Sequence, residues 1–160
     1  MKLARAIRFD KSDLNVFETA AEDAEWALSG TFTFAGIDAA SLKGKTKQAF
    51  ANGFMGLPSF GFTTLVSVAT AKPEDVAQIK AHLITHFIEV FGAPDASAAE
   101  PAADAEIAFM AELCSEHKTG TLLSIQRELT DQGIQEKYRS LSKADSCSDQ
   151  KLWTMVDDDK

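Results

Sequence analysis

The sequence is poor in the features that mark membrane-spanning and secreted proteins. Its 160 residues include no apolar run near the roughly 18 residues that cross a bilayer. The opening residues carry Lys2, Arg5 and Arg8, too much charge for the apolar part of a secretory signal. Two cysteines, Cys114 and Cys147, are too few for a disulfide framework in a chain of this length. These absences predict a cytoplasmic protein with reduced thiols.

Positive charge is also scarce. The chain has 16 Lys and Arg residues and 24 Asp and Glu residues, which gives a formal charge of −8. Contacts to nucleic-acid phosphates need clustered basic side chains, and anionic membranes repel acidic proteins. We therefore expect neither nucleic acid nor a membrane as a partner. The one basic concentration, Lys43, Lys45 and Lys47, has the composition of a solvated helix end.

What the chain has is an ordinary globular composition and one aromatic segment. Hydrophobic residues make up 45% and charged residues 25%, which suits a single domain over residues 1–160. Four of the 11 phenylalanines lie between Phe50 and Phe62. We predict a helix over 45–54, then a glycine-rich turn, then a strand over 62–69. The rings of this segment need burial by other parts of the chain.

Alternating patterns predict strands in the first third of the chain. Strands are expected over 2–9 and 15–20, joined by the polar residues 10–13. The clearest alternation runs from Trp26 to Phe34. It predicts one core-facing set and one solvent-facing set, because successive strand residues point to opposite faces. The core set is Trp26, Leu28, Phe32 and Phe34; Thr31 and Thr33 belong to the other.

Two helices are predicted further along. Asp38 is expected to cap a helical turn that starts at Ala39. Pro73 suits the first position of a helix that continues to Phe91 and stops at Gly92. Residues 92–105 lack large apolar side chains, so we predict a loop there, with a possible subdomain boundary at 92–103. A second helix is expected over 102–118.

The last third predicts a β-hairpin. Residues 121–130 alternate, with Leu123, Ile125 and Leu129 on one side, and 131–133 form the turn. Strands over 134–141 and 152–156 complete the pattern. The order of elements predicts an α+β fold, mainly an antiparallel sheet built from hairpins with two to three helices packed against it.

Two groups of residues could bind a metal. His82, His86 and Glu89 share one stripe of the first long helix. Cys114 and His117 lie one helical turn apart, and Cys147 could join them. The alternatives are a solvated stripe for the histidines and a packed, buried thiol for Cys114. We expect no cofactor and no stoichiometric transition metal.

The segment from Ala39 to Thr46 matches a permissive form of the phosphate-binding loop. Alanine replaces its first glycine, and the predicted hairpins conflict with the parallel sheet that such loops need. A simpler anion site is the alternative, with Lys43, Lys45 and Lys47 attracting the anion. The apolar part of the anionic ligand would then lie against aromatic residues of the nearby segment, namely Phe54, Phe60 and Phe62.

Several segments together resemble a family of short, uncharacterised bacterial proteins. They are residues 5–13, 16–18, 26–30, 48–56, 122–128 and 133–136, so the resemblance extends over most of the chain. The family has no defined catalytic residues to carry over. The resemblance implies an accessory role linked to metalloenzyme maturation, because similar proteins are encoded near molybdoenzyme and lipoate-ligase-like genes.

The sequence therefore favours a non-enzymatic accessory or protein-binding module whose partner is another protein. The competing hypothesis is a small anion- or nucleotide-binding protein, or an enzyme, with a pocket around Phe50–Phe62, Lys43 and Lys45. A deep pocket with converging polar groups would favour the second, and an apolar surface patch would favour the first.

Overall fold

The computed structural model describes residues 1–7, 17, 19–141 and 156–157. Within these residues eight strands form one sheet, in the order β4-β3-β2-β1-β5-β6-β7-β8. All seven neighbouring pairs are antiparallel, which confirms the predicted α+β class. The strands are β1 (Lys2–Ile7), β2 (Trp26–Leu28), β3 (Phe54–Leu57), β4 (Phe62–Thr63), β5 (Leu65–Thr70), β6 (Leu122–Thr130), β7 (Gly133–Leu141) and β8 (Val156–Asp157).

Three α-helices accompany the sheet in the described part of the chain: α1 (Gly44–Asn52), α2 (Pro73–Glu89) and α3 (Ala96–Ser115). Helix α2 starts at Pro73 as predicted, and the Asp75 carboxylate accepts a hydrogen bond from the Lys72 N–H at 2.9 Å. Gly92, with a φ of +75°, follows its end. Asp38 also caps a turn as predicted, since its carboxylate accepts from the Ser41 N–H at 3.0 Å. No helix among the described residues is long and apolar enough to cross a membrane.

The strand predicted over Trp26–Phe34 is wrong in its second half. Strand β2 ends at Leu28, and residues Thr31–Phe34 form a 3-10 helix. Gly30 makes the change of direction with a φ of +77°, and a Cβ there would lie 2.7 Å from the Met55 Cβ. The backbone thus leaves the sheet where only glycine fits.

This change also breaks the predicted alternation of burial. Leu28 and Phe34 are buried as expected, but Trp26 and Phe32 are half-buried. Thr31 and Thr33 are half-buried as well, rather than on a solvent-facing side. A 3-10 helix repeats every three residues, so a period of two cannot describe it.

The predicted loop over 92–105 is the largest error. Helix α3 begins at Ala96, with the Asp95 carboxylate accepting from the Ala98 N–H at 2.8 Å. Pro101 lies inside this helix. Ala99 and Ala103 are fully buried, so the alanines that suggested low complexity form the packed face of a helix. Whether 92–103 marks a subdomain boundary stays a prediction.

The other predicted element boundaries lie closer to those of the structure. Helix α1 ends at Asn52 rather than residue 54, because Phe54 already belongs to β3. The hairpin of β6 and β7 is confirmed, and Thr130 pairs with Gly133 around a two-residue turn. The predicted connection at 10–13, residues 15, 16 and 18 of the strand at 15–20, and residues 152–155 of the last strand lie outside the described residues. Of the rest of the strand at 15–20, Ala20 forms an isolated bridge with Phe62.

The aromatic segment at 50–62 connects two groups of buried side chains. Phe54 belongs to the main core between sheet and helices, which also holds Leu83 and Met110. Phe50 belongs to a second cluster with Phe17, Phe34 and Ala49. The rings of Phe34 and Phe50 meet edge to face at 5.4 Å. The prediction that other parts of the chain bury this segment is correct.

Candidate functional site

A buried arginine organises the polar centre of the molecule. Arg127 occupies a core-facing position of β6, and only 3% of its surface is exposed. Its Nη1 donates to the carbonyl oxygens of Phe50 at 2.8 Å, Gly53 at 2.9 Å and Ala49 at 3.3 Å. Its Nη2 donates to the Ser29 carbonyl. Arg127 therefore joins the end of α1 and the segment after β2 to the sheet.

Arg127 also faces a carboxylate. Its Nε donates to Thr31 Oγ1 at 2.8 Å and lies 3.6 Å from Glu136 Oε2. Burial lowers the pKa of Arg127, and the nearby Tyr138 and Glu136 act in the opposite direction. A buried cation with this many acceptors is satisfied, so its role is structural positioning.

Glu136, directly opposite Arg127 on β7, is held from several sides. Thr31 Oγ1 donates to Glu136 Oε2, and the Tyr138 hydroxyl donates to Glu136 Oε1 at 3.0 Å. Tyr138 is itself buried, which raises its pKa, and the Glu136 carboxylate adds to that effect. Both donors hold the Glu136 carboxylate in place.

A second carboxylate, Glu106 of α3, borders the same space. No hydrogen bond or ion pair of its side chain is found within the described part of the chain. Burial raises the pKa of Glu106, Glu136 raises it further, and Arg127 opposes both. Glu106 is therefore the group here that gains most from an incoming cation or proton.

We call the space between these carboxylates the acidic cleft. It has a volume of about 550 Å³ and is open to solvent. Besides Glu106 and Glu136 it is lined by the residues Ser29, Thr31, Phe32, Ala35, Phe109 and Ile134. Phe109 is 43% exposed at its rim. The cleft combines negative charge with apolar walls, which suits a cationic group on an apolar stem.

An apolar surface adjoins the acidic cleft. The ring of Phe32 meets Phe87 at 5.1 Å and Phe91 at 5.8 Å, both edge to face. Beyond them Val90 is 62% and Phe91 is 47% exposed. Exposed apolar side chains next to a cleft are typical of protein-interaction surfaces.

The residues of the predicted anion site are not brought together by the fold. Lys43, Lys45 and Lys47 are exposed around the start of α1. The three phenylalanines lie in separate surroundings: Phe54 is buried beside Tyr138, Phe60 stacks on His86 at 3.9 Å, and Phe62 packs with Phe17 and Phe34. None of the six residues lines the acidic cleft. An anion-binding or enzymatic function stays a prediction.

The predicted metal ligands are also dispersed. His82 and Glu89 are exposed, whereas His86 is half-buried against Phe60, and this burial lowers its pKa. Cys114 is fully buried, which raises its pKa to about 12, so its packing as a small apolar residue is confirmed. His117 follows the end of α3. The described residues hold no group of three or more His, Cys, Asp and Glu side chains placed for a metal.

The residues of the acidic cleft were missed by the sequence patterns, although one signal was present. Arg127 stands at a core-facing position between Ile125 and Leu129. A charged residue in such a position needs buried acceptors. The hairpin turn at 131–132 fixes Glu136 as its cross-strand partner. Glu106 gave no such signal, because only the packing of α3 brings it to β7.

Comparison with known proteins assigns the chain to a family. No curated protein and no solved structure matches it. A family model does match, and it covers residues 1–155. The chain belongs to a family of unknown function, DUF6505.

Proposed function

We propose that this chain is a non-enzymatic protein-binding module whose partner places a Lys or Arg side chain in the acidic cleft. The observation that carries the proposal is the Glu106 carboxylate, which has no hydrogen bond or ion pair among the described residues, beside the Glu136 carboxylate that Thr31 and Tyr138 hold. A cation from a partner would pair with Glu106 and relieve the repulsion between the two acids. The partner is thus expected to be recognised by charge at the centre of the interface.

The surroundings of the cleft favour a protein over a small amine. Phe32 and Phe109 line the cleft, and Phe91 and Val90 continue the apolar surface beyond it. A free amine would leave this surface uncovered, whereas a peptide with apolar residues next to its basic one would cover it. Aromatic and apolar anchors around one charged pair are typical of interface centres.

Two further elements of the proposal rest on the sequence alone. A cytoplasmic location is one of them, and it stays a prediction. The link to metalloenzyme maturation follows from the family resemblance. Neither is needed for the binding surface.

The test uses a photo-crosslinking residue at the rim of the cleft. The full chain carries benzoylphenylalanine in place of Phe109, and a control chain carries it in place of Glu74, an exposed residue at the start of α2. We expect crosslinks from position 109 to peptides in which Lys or Arg adjoins apolar residues. Equal crosslinking from position 74, or peptides without a basic residue, would contradict the proposal.

Charge reversal provides the second part of the test. Glu106→Lys is expected to weaken crosslinking from position 109 at least about tenfold, because two cations would then meet in the cleft. Glu112→Lys makes the same change at an exposed position on the same helix and serves as the control. An equal loss in both variants would mean that only the net charge matters.

A further inference from the structure

The opposite face of the β6–β7 hairpin carries a second cleft of contrasting charge. Its volume is about 400 Å³, and none of its lining residues is acidic. Lys137 and Arg139 of β7 line it, together with Ser124 and Gln126 of β6. In the register of the hairpin Ser124 lies opposite Arg139, and Gln126 lies opposite Lys137. We call this space the basic cleft.

The two cations of the basic cleft have no bonded partner among the side chains that the structure describes. Both side chains are half-buried, and neither forms an ion pair or hydrogen bond with a residue that the structure describes. The lining of this cleft is thus basic in a chain with a formal charge of −8. A half-buried cation without a partner gains more from a bound anion than a fully solvated one.

The composition of the cleft specifies the ligand. Besides the ammonium and guanidinium groups, hydroxyls of Thr64 and Ser124 and the Gln126 amide supply donors. The Cα atoms of residues two apart on a strand are about 7 Å apart, so one tetrahedral dianion can contact both cations. We propose that the basic cleft binds a phosphate group, either as inorganic phosphate or on a small phosphorylated molecule.

One feature limits the affinity. Lys137 and Arg139 also line an adjoining cleft with Glu128 and Glu136, so acidic residues stand at the edge of the site. Binding in the millimolar range is therefore expected at low salt, and it should weaken as salt screens the charges. This site lies apart from the start of α1, where sequence patterns predicted an anion.

The experiment is a titration of the full-length ¹⁵N-labelled chain with inorganic phosphate, with chloride at equal ionic strength as the reference. We expect saturable shifts of the amide signals of Ser124, Gln126, Lys137 and Arg139. A parallel titration with glycerol phosphate tests the esterified form. Tighter binding of the ester would assign the site to a phosphorylated molecule, and equal binding would assign it to the phosphate group alone.

Matched variants locate the site. Lys137→Gln and Arg139→Gln should each weaken phosphate binding at least about tenfold, since each removes one charge-assisted contact. Lys137→Arg keeps the charge and should bind as the wild type does. Lys45→Ala should also leave the affinity unchanged, because Lys45 is exposed on α1.

The inference is overturned by any of three results. Shifts that do not saturate, or that chloride reproduces, would show nonspecific screening. Unchanged affinity in both Gln variants would exclude the basic cleft. Loss of binding in Lys45→Ala alone would place the anion at the start of α1. The amide spectra of each variant show whether it is folded, so a weakened titration cannot be confused with unfolding.

Discussion

At the scale of single residues, Arg127 joins segments that are distant in sequence. It donates to carbonyls of Phe50, Gly53 and Ser29 and to the hydroxyl of Thr31. Removing one partner of a buried polar network leaves the others without a bond and without water. The guanidinium is also geometrically specific, because an ammonium cannot reach acceptors arranged around a planar fork.

Arg127→Met is expected to lower the free energy of unfolding by about 3–5 kcal/mol. Arg127→Lys should recover little of that loss, since charge alone does not satisfy the separate carbonyls. Urea denaturation followed by circular dichroism gives both values. Lys45→Ala, at an exposed position, should change stability by no more than about 0.5 kcal/mol. A Lys variant as stable as the wild type would contradict this role for the guanidinium.

Glu106 gives the protein a pH dependence opposite to that of most carboxylates. Its pKa in the folded state is raised by burial and by Glu136. Between the unfolded and folded pKa values the folded state binds more protons, so stability falls as pH rises through that interval. Above that interval the charge on Glu106 therefore costs stability.

Glu106→Gln is accordingly expected to stabilise the protein at pH 7. The gain should disappear as the pH falls below the ordinary glutamate value of about 4.3, where the wild-type side chain is also neutral. Thermal unfolding across this pH range measures the difference. Glu112→Gln removes one charge from an exposed site on the same helix and shows how much of the gain comes from net charge alone.

At the scale of elements, the 3-10 helix Thr31–Phe34 gives its two phenylalanines different degrees of burial. In an extended strand both would lie on the same face. Phe34 is 4% exposed and packs on Phe50 and Phe62. Phe32 is half-buried and lines the acidic cleft. The sequence pattern predicted core positions for both, and at a core position truncation of phenylalanine to alanine costs about 3–5 kcal/mol.

The structure changes that expectation. Phe34→Ala should cost about 3–5 kcal/mol, and Phe32→Ala less, because Phe32 is only partly buried in the folded protein. Chemical denaturation of the two variants measures the difference. Equal losses would indicate that the segment continues as a strand with both rings in the core.

Elements with a strong local pattern could be predicted from the sequence. Helix α2 has Pro73 at its start and glycine after its end, and the β6–β7 hairpin has alternation on both sides of its turn. Helix α3 was predicted only from residue 102 onward, and its first part was predicted as a loop because Pro101 and small residues resemble a linker. Whether such residues form a helix depends on their close packing against the sheet, and a local sequence pattern does not show that packing.

The candidate site was harder to predict for the same reason. Arg127 and Glu136 follow from one hairpin register, so the sequence held enough information to pair them. Glu106, Phe32 and Phe109 come from a helix and a 3-10 helix that are distant in sequence. Only tertiary packing brings them to one cleft.

At the scale of the whole molecule, the purified protein is expected to carry no stoichiometric transition metal. A cysteine ligand must be a thiolate, and burial raises the pKa of Cys114 to about 12. Elemental analysis of protein purified without chelators measures the metal content. About one zinc or iron per chain would contradict the expectation. His82, His86, Glu89, Cys114 and His117 would then be the first residues to replace.

The contacts of Arg127 also determine which parts of the chain open together. Its guanidinium holds the last carbonyls of α1 from a position 77 residues beyond Phe50 in sequence. The end of α1 therefore cannot unwind without breaking bonds to β6. Native-state hydrogen exchange should show the Gly53 amide, which is bonded to the Ala49 carbonyl at 2.9 Å, exchanging at the same free energy as the β6 amides. In Arg127→Met the two opening free energies should differ, with α1 opening first. One side chain thus makes two distant segments a single cooperative unit.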